Sequence, residues 1–331
     1  MFTSKDLRKR VKEISEYLLE EYKQNKKESK RDWRTYEQDY SKRIKEAIKQ
    51  LSPLIDEAVI SIKIVSSAGS PNKLTLKQRV QLILLKELFS ESNRMMAAML
   101  DIFSILSGID ISYKSVERLY SDEEVVMVLN NLHNLILKKR GVSNPDTSGD
   151  GTGYSLTIKK HYSADAQKLK DKAKETKIDT KTAFVYSFKL IDINTKMYIA
   201  YGTSMKSEKQ AFDSAIKMLG SVAVNINSVR LDGYYSYPSC VDIFDTEKVF
   251  IIPKKNATLK GSWKWKRLMK HFADNTMQYL EEYYKRESSE TGWSVDKKRF
   301  GWKIEQRRPD RIDTADFCIT IWHNLFQIGG N

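Results

Sequence analysis

Four residues near the C-terminus have types and spacing suited to chemistry: Tyr283, Arg286, Glu290 and Lys297 in "YYKRESSETGWSVDK". In one continuous helix each residue turns by about 100°, so the four fall at roughly 0, −60, −20 and −40° and share a face. A phenol, a guanidinium, a carboxylate and an ammonium do not form a core stripe. A carboxylate set among cations is the make-up of a site that handles a metal ion and phosphates. The plainer alternative is an exposed helix with incidental charge pairs. The spacing predicts a helix through 283–297. Asp232, in "VRLDGYY", follows apolar Val229 and Leu231 and precedes a strand-breaking glycine. That is an aspartate at the carboxyl end of a buried strand, a common place for chemistry in α/β sheets. The same residue pair also reads as an ordinary Asp-Gly turn.

The order Tyr, two residues, Arg, three residues, Glu, six residues, Lys resembles the signature of a large group of bacterial and archaeal insertion-sequence transposases. These are DDE enzymes with an RNase H-like catalytic domain. The resemblance implies that Glu290 is the last member of an Asp-Asp-Glu metal triad, with Asp232 as the second. For the first, "SGDGTGYSL" offers Asp150, whose Asp-Gly-Thr-Gly run resembles the family motif, and Asp146 in "NPDTSGD" is the alternative. It further implies that Arg286 and Lys297 hold DNA phosphates and that Tyr283 stacks on a base or bonds a phosphate. Three carboxylates supply hard oxygen ligands for Mg²⁺, with Mn²⁺ as substitute. Two such ions about 4 Å apart activate the attacking oxygen and stabilise the leaving oxygen of an in-line phosphoryl transfer. Water as nucleophile cleaves a strand, and a DNA 3′-hydroxyl joins one. Two features depart from the family pattern. Ser289 stands where an apolar residue usually precedes the Glu, and Gly292 follows it. Glycine costs a helix about 1 kcal/mol against alanine, so a kink is expected there, with Lys297 more affected than Arg286. The short Asp232–Glu290 interval leaves no room for the β-rich insertion that some relatives carry.

Residues 253–272, "PKKNATLKGSWKWKRLMKHF", contain seven Lys or Arg and no acid. Lys254, Lys255, Lys264, Lys266 and Arg267, interleaved with Trp263 and Trp265, suit phosphate contact and base stacking, including unpaired or flipped bases. The alternative is that the tryptophans pack inward, although residues two apart cannot both face one side of a helix. A net charge of +14 agrees with a polyanionic partner, nucleic acid first. Cys240 and Cys318 are too few and too far apart for a disulfide framework or a CxxC zinc site, and the four histidines lack paired spacing. No signal peptide or membrane span is visible. A cytoplasmic, DNA-associated protein with no membrane contact is expected.

The elements that must position these residues fall into three regions. Residues 1–65 read as amphipathic helices, with 51–64 as a further short helix or strand. A Gly- and Pro-containing linker is expected at 65–73. Residues 74–140 read as a helical DNA-binding region, with Thr75 and Ser92 as caps. Within it "SGIDISYKSVERLYS" has the form of a helix-turn-helix. Gly108 would end one helix, and Ser112 would cap a second that carries Lys114 and Arg118 on its solvent side for a major groove; a plain helical hairpin is the alternative. The Gly- and Ser-rich stretch 141–155 marks the boundary, and 141–331 forms the catalytic domain. The overall expectation is an α/β fold: an RNase H-like mixed sheet flanked by helices, preceded by an all-α N-terminal region. Its expected role is a DNA transposase that cleaves and transfers strands at insertion-sequence ends. The alternative is a non-catalytic DNA-binding protein, domesticated or regulatory, with the same fold. Double-stranded DNA, as transposon ends and target, is the expected partner, with a homodimer assembled on it.

Overall fold

The computed structural model describes residues 2–14, 20, 32–62, 73–90, 92, 95–156, 184–244, 246 and 248–328. The N-terminal region is helical throughout these residues. Helix α1 (Ser4–Glu13) opens on a capping box between Thr3 and Asp6. Helix α2 (Trp33–Ile60) runs through Pro53, so 51–60 is not a separate element. Proline removes one helical hydrogen bond, and burial of Leu51, Leu54, Ile55 and Ala58 on either side keeps the helix whole. The linker expected at 65–73 lies outside the described residues apart from Lys73. Thr75 caps α3 (Leu76–Leu88) with Gln78 in a second capping box. Helix α4 (Met95–Ser107) ends at Gly108, whose φ of 69° is the left-handed conformation that favours glycine. Ser112 caps the short α5 (Tyr113–Leu119), and Asp122 caps α6 (Glu123–Lys139).

The sheet has the order β3-β2-β1-β4-β5, with β6 (Lys303–Ile304) pairing the far end of β1. Strands β1 (Asp146–Leu156), β2 (Val185–Asp192) and β3 (Tyr198–Ser204) form an antiparallel meander. Strands β4 (Ser228–Leu231) and β5 (Val249–Ile251) then add parallel to β1. This mixed order, with flanking helices and an all-helical N-terminal region, is consistent with an RNase H-like arrangement. The Gly- and Ser-rich stretch expected at the domain boundary is largely β1, the central strand. Its glycines answer to packing rather than to turns. A Cβ on Gly149 would come within 2.5 Å of the Phe188 ring and 2.7 Å of Leu231, and one on Gly151 within 2.5 Å of Glu208.

Two cores cover the two faces. On one, α7 (Glu208–Leu219), α8 (Pro238–Ile243), α9 (Trp263–Asp274) and α10 (Thr276–Tyr284) pack around Phe188, Phe212 and Tyr235, and α1 adds Leu7 and Val11. On the other, α11 (Glu287–Phe300) and α12 (Pro309–Ile328) lie on the sheet. From Ile312 to Phe326 every residue of α12 but Asp313 is buried, because the N-terminal helices α2, α3 and α6 cover its far side. One continuous apolar cluster therefore runs from Leu51 through Trp322 to Val185.

Candidate functional site

The sheet register brings the two aspartates together. Gly149 on β1 pairs with Leu231 on β4, and the strands are parallel. The next residues, Asp150 and Asp232, therefore stand side by side where β4 ends. Asp232 caps a 3₁₀ turn (Gly233–Tyr235), its carboxylate accepting from the Tyr234 N–H at 2.8 Å. Asp146 lies at the amino end of β1, beside the start of β4, where its carboxylate accepts from the Asn227 amide at 2.7 Å and from Ser228. It is a strand-end anchor remote from Asp232.

The helix expected through 283–297 is two helices. It breaks at Lys285–Arg286, between α10 and α11, whereas Gly292 lies inside α11 without interrupting it. Both departures from the family pattern have packing reasons. Ser289 is buried, and its hydroxyl donates to the Arg286 carbonyl at 2.8 Å and meets the Ser148 hydroxyl at 3.0 Å. Gly292 lets α11 approach β3, since a Cβ there would lie 2.7 Å from the Tyr198 hydroxyl. The helix is pinned along one face of β1. Ser148 meets its start, the Trp293 indole N–H points at the Asp150 carbonyl at 3.4 Å, and Lys297 donates to Thr152.

Arg286 is the centre of the arrangement. Its Nη2 is 2.7 Å from Glu290 and 3.6 Å from Asp232, and its guanidinium lies 5.6 Å over the Tyr283 ring. Burial pushes the Asp150 carboxyl up to about 6; the Arg286 charge opposes this, and the charges of Asp232 and Glu290 add to it. Burial lowers the Lys297 ammonium, with Asp150 opposing. These couplings place Asp150, Asp232, Glu290, Arg286 and Lys297 in one electrostatic neighbourhood. Among the described residues no three His, Cys, Asp or Glu side chains are drawn together as a ready metal cage. Instead the carboxylates spread around a guanidinium. Asp232 and Glu290 have side chains 42% and 53% exposed, so both can turn without disturbing the core.

The residues expected to bind DNA divide by position. Lys254 and Lys255 are exposed beyond the carboxyl end of β5, at the carboxylate end of the sheet, and Lys254 lies 5.9 Å from the Tyr234 ring. Trp263 is 65% exposed and stacks under Arg267 at 5.1 Å. With Lys264 these two line a groove of about 720 Å³ alongside Asn225, Asn227 and Lys248, at the amino ends of β4 and β5 and away from the carboxylates. Lys266 is exposed on the same helix. Trp265 is buried and donates to the Thr258 carbonyl at 2.8 Å, so the two tryptophans face opposite ways. Tyr283 is also buried, as a platform beneath Arg286. Lys114 and Arg118 are exposed on α5, whereas Glu117 pairs with Arg311 of α12. Ser148, Thr152 and Trp293 join the site beyond the residues expected from the sequence. Strand alternation from Asp150 would have found the first two, since Ser148, Asp150 and Thr152 share a face.

No protein-family model matches the chain. Over 286 residues the chain is 44% identical to a protein of Archaeoglobus fulgidus named as a probable transposase for insertion sequence element ISA1214. The match covers 86% of this chain and 85% of that relative.

Proposed function

Since the chain belongs to the insertion-sequence transposases, we propose that it is a DDE enzyme of the Tyr-Arg-Glu-Lys group. In this reading it cleaves DNA at the element's ends and transfers the strands. Asp150, Asp232 and Glu290 would hold two Mg²⁺ ions, or Mn²⁺ in their place. The observation that carries this reading is the placement of Arg286, a positive charge held among three carboxylates that come from distant parts of the chain. Carboxylate oxygens are the donors that Mg²⁺ takes, and the guanidinium stands in for a cation among them. When bound, the ions supply the charge that activates the attacking oxygen and stabilises the leaving one.

The side chains around the carboxylates act on the DNA. A phosphate offered to Arg286 competes for its guanidinium, which can take it bidentately and release Glu290 and Asp232. Lys297, held beside Thr152, offers a point charge to a neighbouring phosphate. Tyr283 fixes the plane of Arg286 from below and does not itself stack on a base. Lys254, Lys255, Lys266 and the Trp263 groove extend the basic surface for duplex DNA, and Lys114 and Arg118 offer a further contact from the helical region. Pairing two element ends in one complex calls for a homodimer on DNA. Sedimentation of the protein–DNA complex should give two protomers per pair of ends.

The decisive assay is nicking of duplexes that carry the element's terminal sequence, in Mg²⁺, Mn²⁺ or EDTA. Wild-type protein should nick only with metal. Asp150→Asn, Asp232→Asn and Glu290→Gln should each bind the duplex normally and lose at least about 1,000-fold in rate, as expected when a group acting as part of a unit is removed. Unimpaired nicking by Glu290→Gln would refute the assigned site.

A further inference from the structure

The helix bearing Glu290 and Lys297 rests on a charged cluster that the DNA chemistry does not touch. Asp296 is fully buried. One of its oxygens lies 3.4 Å from Lys189 Nζ of β2, and the other lies 2.7 Å from His323 Nδ1 of α12. Lys189, equally buried, also lies 3.3 Å from Asp316, which accepts from the Ser187 hydroxyl at 2.6 Å. The Lys189 ammonium sits 4.7 Å from the Trp293 ring and 4.8 Å from that of Tyr198. His323 Nε2 is 2.9 Å from the Lys196 carbonyl in the β2–β3 turn. A carboxylate faces one ring nitrogen and a carbonyl the other, so His323 ties α12 to both α11 and the β2–β3 turn. Lys189 thus lies between two buried carboxyl groups. Burial opposes the charge on Asp296, but His323 and Lys189 outweigh it and hold the carboxyl below its usual range.

Withdrawing ionisable groups from water is costly, and an apolar set of similar volume is often as stable or more so. Ion pairs differ from apolar contacts in having one satisfactory register. We propose that Asp296, gripped by Lys189 and His323, is a positioning residue for the carboxylate site. It fixes the rotation and height of α11 on the sheet, and so sets where Glu290 and Lys297 stand relative to Asp150 and Asp232. Three features connect the cluster to the site. Asp296 and Lys297 are consecutive, Glu290 lies about 9 Å along the helix, and Trp293 between them spans from the Lys189 ammonium to the Asp150 carbonyl. The inference rests on the carboxylate-site reading above.

The test is Mn²⁺ binding to the full chain in complex with a terminal-sequence duplex, followed by loss of the free-ion paramagnetic resonance signal. Asp296→Asn should raise the half-saturating Mn²⁺ concentration at least about 10-fold, as loss of a ligand-supporting contact does. Its nicking rate should fall about 100-fold, as for an ångström-scale misplacement. Asp316→Asn makes the comparison: it is as buried and faces the same ammonium, but it is not on α11. It should lower the melting temperature and keep half-saturation within about 2-fold of wild type, well short of the change expected at a supporting contact. A purely structural defect reduces the number of sites without moving half-saturation. Equal half-saturation in wild type and Asp296→Asn would overturn the proposal. If Asp296→Asn does not fold, His323→Asn, which leaves the Lys189 pair intact, decides by the same readout. Glu290→Gln separates the two levels. Its weakened binding beside an unaltered Asp296→Asn sinks positioning alone, whereas wild-type binding by Glu290→Gln removes the carboxylate site and this inference with it.

Discussion

Two tryptophans two residues apart illustrate how much a side chain's direction decides. Trp263 lies open over Arg267, and Trp265 is sealed in the core. Trp263→Ala should leave the melting temperature unchanged and weaken duplex binding by about 1 kcal/mol or more, the scale of a lost stacking contact. Trp265→Ala should destabilise the fold by about 3–5 kcal/mol, as large-to-small core changes do. Its surviving folded fraction should bind DNA as wild type does. Thermal melts and fluorescence anisotropy on both variants separate the two roles. Arg286 is a third case. Its contact with Asp232 could not be read from spacing alone, because it depends on where β4 ends beside β1, whereas its pair with Glu290 is a one-turn helix contact.

At the scale of elements, Gly292 opposes propensity to packing. Alanine would add about 1 kcal/mol of helix preference, but its Cβ would lie 2.7 Å from the Tyr198 hydroxyl. Overpacking of that kind costs about 1–3 kcal/mol, so Gly292→Ala should lower the melting temperature. His133 joins α6 to β3 through the Ile199 carbonyl at 2.9 Å, and burial lowers its pKa from 6.5 to about 4. The unfolded chain takes up a proton below 6.5 that the folded protein refuses until about 4. Stability is therefore full above that window and lost as pH falls through it, by about 3 kcal/mol in total. His133→Gln should flatten this part of the melting temperature–pH curve. The helices capped by Thr75 and Ser112, the helix end at Gly108 and the strand before Asp232 were legible because alternation, caps and breakers are local signals. The close packing around β1 was not, since Gly149, Gly151 and Gly153 have the composition of a loop. Phe188 and Leu231 at Gly149, Glu208 at Gly151 and Phe184 at Gly153, brought near by folding, explain them. The break at Lys285–Arg286 was equally hidden, while the glycine that looked like a breaker proved to be a contact.

Across the whole molecule, the excess charge and the spread of basic residues from α5 to α9 predict a steep salt dependence of DNA affinity. Replacing Lys264, Lys266 and Arg267 singly by Gln should each reduce the slope of log K against log salt by about 1 if that residue meets a phosphate. The helical N-terminal region shares its core with α12 and, through it, the sheet. A duplex held on α5 is thus held in fixed relation to the carboxylates. The most direct test of the account uses Fe²⁺ as a substitute ion on the protein–duplex complex, with peroxide added. Hydroxyl radicals formed at the bound iron cut the nearest polypeptide, and mass spectrometry locates the cuts. The account predicts cuts next to Asp150, Asp232 and Glu290 together, suppressed by excess Mg²⁺ and absent in Glu290→Gln. Cuts confined to other segments, or unchanged by Mg²⁺, would show that these three carboxylates share no ion.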